Sequence, residues 1–142
     1  MAHNRDMSSS TYTTQKRTTL AMAARRLVVL DRCVNEGHLA NEDAGLVAPG
    51  PHAIGSNPWS TAIDEMADRG VIAETAHNVY AVADGAVSDW WRHVMQHDDT
   101  FVGVYDELRE WLRGGPLLLD WSDQYVADAI KRTPAALAWV WQ

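Results

Sequence analysis

The 142-residue sequence has a single cysteine, Cys33, and a single phenylalanine, Phe101. One cysteine excludes an internal disulfide framework and any multi-cysteine zinc site. A lone thiol fits a reducing compartment, so a cytoplasmic protein is expected. No apolar run approaches the length of a membrane span, and no N-terminal stretch reads as a secretory signal. No glycine-rich phosphate loop and no GxSxG elbow occur, so neither phosphoryl transfer nor a serine hydrolase is indicated. Internal repeats of solenoid period are also missing. Positive charge is scarce, with a net charge of −7, and this disfavours nucleic acid at first sight.

What is present is a soluble mixture, 46% apolar and 22% charged, which suits a folded rather than a disordered chain. The charge is unevenly placed. Residues 1–35 carry six basic and two acidic side chains, net +4. The remaining residues carry six basic and seventeen acidic ones, net −11. A basic N-terminal segment on an acidic body can serve as an interaction arm. Tryptophan is abundant, with seven residues: Trp59, Trp90, Trp91, Trp111, Trp121, Trp139 and Trp141. Large amphipathic rings of this kind belong in cores or at subunit interfaces.

Residues 1–17 are polar and aperiodic and read as a flexible basic tail. From Thr18, apolar residues at Leu20, Ala23, Leu27, Leu30 and Val34 share one helical face, and Gly37 is a natural stop. Arg25, Arg26 and Arg32 fall mainly off that face. A short helix is expected over Asn41–Val47, followed by a Pro/Gly-rich loop over residues 48–56. The next helix has the clearest start in the chain, Asn57 as cap and Pro58 in the first turn, and runs to about Arg69 before Gly70. Two β runs, Val71 to Thr75 and Val79 to Val82, flank a turn over residues 76–78. The remainder reads as helix. One helix is capped by Asp84 or Ser88 and carries Val87, Trp90, Trp91, Val94 and Met95. Another is capped by Asp98 or Asp99 and ends at Gly114-Gly115-Pro116. A third covers Ser122 to Arg132, and a last short one opens at Thr133-Pro134.

The stretch from Ser60 to Asp84 places two apolar residues three apart, Ile63 and Met66, before a helix-ending Gly70 and the strand-starting pair Val71 and Ile72. In this respect residues 18–84 resemble a winged helix-turn-helix domain. The resemblance implies a mainly α fold with a small β-hairpin, followed here by a Trp-rich helical extension over 85–142 for packing or dimerisation. It also implies a small DNA-binding regulatory protein of the transcriptional-regulator type, with double-stranded DNA as partner. Mapped onto this chain, the DNA-binding candidates are Asn57, Trp59, Ser60 and Thr61 on the third helix and His77 and Asn78 at the wing tip. Lys16, Arg17, Arg25 and Arg26 are the candidates for phosphate contact.

Asp64, Glu65, Asp68 and Glu74 fit DNA poorly. They favour the alternative, an acidic protein–protein interaction module, an inhibitor or adaptor of cellular or viral origin on the same scaffold. Trp90, Trp91, Trp111, Trp139 and Trp141 are then the candidate protein interface, with homodimerisation as a further use. His93 and His97 stand four apart on one helix. The HExxH pattern is incomplete, however, and no metal, cofactor or catalytic residue is expected.

Overall fold

The computed structural model describes the backbone of residues 2–36, 39–40, 58–77, 79–116 and 123–142, and the side chains of 18–36, 59–77, 79–116 and 126–142. Helix α1 spans Ala2–Asn35 and strand β1 spans Leu39–Ala40. Helix α2 covers Pro58–Asp68 and leads into β2, Ile72–Ala76, and β3, Val79–Val82. Helices α3 (Gly85–His97), α4 (Asp99–Leu112) and α5 (Asp123–Lys131) follow. A 3-10 helix over Ala135–Trp141 closes the order. The fold is thus mainly α with a small antiparallel sheet. No helix among the described residues is long and apolar enough to cross a membrane.

Helix α1 is the axis of the core. It packs against β1, α2, β3, α3, α4 and the 3-10 helix. This is why burial extends almost around its circumference between Ala23 and Leu30, where Ala23, Ala24, Leu27, Val28, Val29 and Leu30 are all inaccessible. A surface helix would bury one stripe only. The helix also begins at Ala2 rather than Thr18, so helical backbone stands where the aperiodic sequence suggested a flexible tail. Once a turn is nucleated, each added residue costs little, and Ser and Thr sit only a few tenths of a kcal/mol below alanine in helix propensity. The helix expected over 41–47 and the loop over 48–56 lie outside the described residues.

The sheet has the order β1-β3-β2, both pairs antiparallel. Ile72 pairs with Val82 and Ala73 with Ala81, while Leu39 faces Tyr80. The sheet is therefore three-stranded at the turn end of the hairpin, and β1 is the strand that sequence periodicity did not reveal. Two residues are too few to display a period of two. Gly70 makes the entry to β2 possible. Its φ of +76° lies in the left-handed region, and its amide donates to Ala67 O while Val71 N returns to Met66 O. These bonds close the last turn of α2.

The C-terminal half is organised by caps and aromatic rings. The Asp84 carboxylate accepts from Ala86 N at 3.0 Å to start α3, and Asp98 accepts from Phe101 N at 3.1 Å to start α4. Asp98 also receives Arg132 Nε at 2.7 Å, which ties the α3–α4 junction to the residue just beyond α5. Trp90, Trp91, Phe101 and Tyr105 meet edge to face with centroids 5.2–6.0 Å apart, the geometry favoured by the ring quadrupole. Trp91 Nε1 donates to Asp31 Oδ1 at 2.9 Å, so this cluster is anchored to α1. The Tyr105 hydroxyl is held well above its ordinary pKa, first by burial and then by the charge of Asp31, with Arg109 opposing.

Three outcomes are expected, one at Gly70 and two at Cys33. At Gly70 a Cβ would meet nothing within 4 Å, so Gly70→Ala should cost only the left-handed backbone penalty, about 1–2 kcal/mol by urea denaturation. Burial pushes the Cys33 thiol up to about 12 from 9.0. The native thiol should therefore resist iodoacetamide at pH 8 and react promptly in urea. Between those two values the unfolded chain ionises while the folded one stays protonated, so stability should fall as pH rises above 9.

Candidate functional site

The face expected to meet a partner is built from α2 and the hairpin. On α2, Trp59, Ala62, Ile63 and Met66 point into the core. Thr61, Asp64 and Asp68 are exposed, and Ser60 and Glu65 are half-buried. Ile63 and Met66, three apart, are both buried on α2, which packs on α1. Trp59 is only 2% exposed, so it serves the core and not a ligand, a correction to its place among the DNA-binding candidates. Its indole N–H finds no acceptor among the described residues. On the hairpin, Ala73, Glu74, Thr75, Ala76 and His77 are exposed. The Tyr80 hydroxyl is pushed above its ordinary pKa by burial first, then by a hydrogen bond and charge from Glu74 and by the charge of Asp64. Carboxylates from α2 and β2 thus act on one side chain, which marks the face between them as anionic.

The arginines expected to balance that charge are placed differently. Arg26 is buried, 3% exposed. Its Nη1 donates to the carbonyls of Val140 at 2.8 Å and Gln142 at 2.7 Å, with a longer contact to Trp139 at 3.5 Å. Its Nη2 forms an ion pair with Glu65 Oε2. The guanidinium also lies 5.2 Å from the Trp139 ring centroid, and Arg69 lies 4.8 Å from the same ring. Arg26 is therefore a structural clasp joining α1, α2 and the C-terminal segment, and it cannot serve as a phosphate contact. A signal for this was present: residues 23, 26, 30 and 33 share the α-helical spacing of the core stripe. Arg25 is half-buried, and desolvation lowers its pKa. Arg32 is tied to Glu36 at 3.3 Å on the surface. Lys16 and Arg17 fall on helical backbone, and their side chains lie outside the described residues, as do Asn57 and Asn78.

The tryptophan surface proves to be mostly interior. Trp91, Trp139 and Trp141 are buried, and only Trp90 and Trp111 are half-buried. Their polar ends are used internally. Trp90 Nε1 donates to Arg132 O, Trp139 Nε1 to Ala136 O and Trp141 Nε1 to Thr133 Oγ1, each at 3.0–3.1 Å. Because their rings are buried, Trp91, Trp139 and Trp141 are withdrawn from the candidate interface. Among the described residues no group of three or more His, Cys, Asp or Glu is gathered to hold a metal.

The Arg26 clasp has a measurable consequence. Removing Arg26 leaves the carbonyls of Val140 and Gln142 without this donor and the half-buried Glu65 without this partner. Arg26→Ala should lower stability by about 3 kcal/mol in urea denaturation. Arg26→Lys should fall between, because an ammonium lacks the planar fork that reaches both Glu65 and the C-terminal carbonyls. Unchanged stability of Arg26→Ala would show that the clasp carries no weight.

Comparison with protein-family profiles, with curated proteins and with solved structures finds nothing that matches this chain.

Proposed function

We propose that this chain is an acidic protein-interaction module, an inhibitor or adaptor on a winged-helix scaffold, whose binding face is α2 with the hairpin. The scaffold reading is supported by the order α1, β1, α2, β2, β3 around one antiparallel sheet. The function reading rests on one observation. The exposed carboxylates of this face are Asp64, Asp68 and Glu74, while Arg69, exposed just beyond α2, lies over the Trp139 ring and Arg26 is committed to the core. Phosphate neutralisation supplies most non-specific DNA affinity, and this face has little to offer it. An anionic face attracts a basic protein surface and repels a duplex. The half-buried Trp90 and Trp111 are what remains of the tryptophan set for pairing subunits. A free, buried Cys33 suits a cytoplasmic setting.

A second reading, the small DNA-binding regulator, is favoured by the exposure of Thr61 on α2 and His77 at the hairpin tip. Its positive charge would come from Lys16 and Arg17. A mobility-shift series over salt, run beside a pull-down, separates the two. The interaction reading expects a stoichiometric protein partner without nucleic acid, lost in the Asp64→Lys, Asp68→Lys double variant. It expects no shift of duplex DNA at low salt. A low-salt shift whose salt slope drops by about 1 for each of Lys16→Ala and Arg17→Ala would overturn it in favour of DNA.

A further inference from the structure

The last two turns of α3 carry a feature that neither reading uses. His93 and His97 are both exposed, and their ring centroids lie 4.8 Å apart at an interplanar angle of 45°. Among the described residues no hydrogen bond or ion pair engages either imidazole. Two neighbouring carboxylates are already matched, Asp89 with Arg92 at 3.6 Å and Asp98 with Arg132 at 2.7 Å, while Asp99 is exposed at the start of α4.

We propose that His93 and His97 form a two-imidazole chelate for a divalent first-row transition metal, Cu2+ held most tightly. The separation is the first argument. A metal–nitrogen bond of about 2.0–2.1 Å places each ring centroid about 3.2 Å from the ion. At ligand angles between about 90° and 109°, two such rings stand about 4.5–5.2 Å apart, which brackets the observed distance. Residues four apart on a helix already share a face, so side-chain rotation alone aims both nitrogens. Position is the second argument. The pair sits at the C-terminal end of α3, where the helix dipole favours a cation. Imidazole selects Cu2+, Ni2+ and Zn2+, and the affinity order peaks at Cu2+. Mg2+ and Ca2+ prefer oxygen ligands and are rejected. With no third His, Cys, Asp or Glu grouped there among the described residues, water fills the other positions. The site is therefore open and exchangeable, unlike a closed structural zinc site.

The test is a Cu2+ titration of the full, tag-free chain, followed by electron paramagnetic resonance. All samples carry His3→Ala, which removes a competing imidazole on α1. One equivalent should bind with two-nitrogen coupling. His93→Ala and His97→Ala should each leave one coupled nitrogen and weaken binding at least about tenfold, the loss of one arm of a chelate. His77→Ala should change nothing, and Mg2+ should not compete. Both histidines are exposed, so the folded state, checked by circular dichroism, should persist. Copper held equally well by His93→Ala and His97→Ala, or a single coupled nitrogen before substitution, would overturn the proposal.

Discussion

One guanidinium holds the architecture together. Arg26 leaves the surface of α1 and enters the space where α2 and the C-terminal segment converge. It satisfies main-chain oxygens at one end and a carboxylate at the other. A buried charge is tolerated only when it is paired and largely hydrogen-bonded, and here Nη1 and Nη2 are engaged while Nε has no acceptor among the described residues. The requirement runs both ways. The final carbonyls of a 3-10 helix have no partner within it, and Arg26 supplies donors to Val140 and Gln142. The position of α2 is therefore tied to the presence of the C-terminal segment, although 66 residues separate Asp68 from Ala135 in sequence. Nothing in the hairpin needs to touch the C-terminal region for the two halves to be coupled.

The tryptophans show the same economy of polar groups. An indole N–H is a donor that generally finds a partner once the ring is buried, and among the described residues Trp59 is an exception. Trp91 finds Asp31 on α1, and Trp141 finds Thr133, which in turn bonds Ala129 O at the end of α5. Hydrophobic burial supplies the gross stabilisation, and these bonds decide which packing is adopted. This is why so tryptophan-rich a segment shows little exposed apolar surface. Ile130 is the one large hydrophobic residue exposed among the described residues.

Local chemistry made much of the fold legible. Pro58 marks the start of α2, Gly70 its stop, Asp84 and Asp98 the caps of α3 and α4, and Gly114, at φ +98°, the end of α4. Each signal is contained within a few residues. Features set by distant partners were not legible. β1 exists because Leu39 and Ala40 meet Tyr80 and Val79, and two residues carry no pattern of their own. The segment after Pro134 has a helical start signal but winds as 3-10. The candidate site was read least well. Its charge was visible in Asp64, Asp68 and Glu74, but charge alone does not tell an arginine that solvates from one that clasps. Arg26 and Arg25 are adjacent in sequence, and the 100° step between them on the helix separates a core residue from a half-buried one.

The aromatic cluster has an optical consequence. Tyr105 lies 5.2 Å from Trp91, far inside the range of radiationless energy transfer from phenol to indole. Its excitation is therefore handed to tryptophan and does not appear as phenol emission. Trp90 and Trp91, 6.0 Å apart and inclined at 62°, are close enough for their transitions to mix. The near-ultraviolet circular dichroism of the folded chain thus carries a signal from this pair on α3, and the loss of Tyr105 emission reports on the contact between α3 and α4, without any added label.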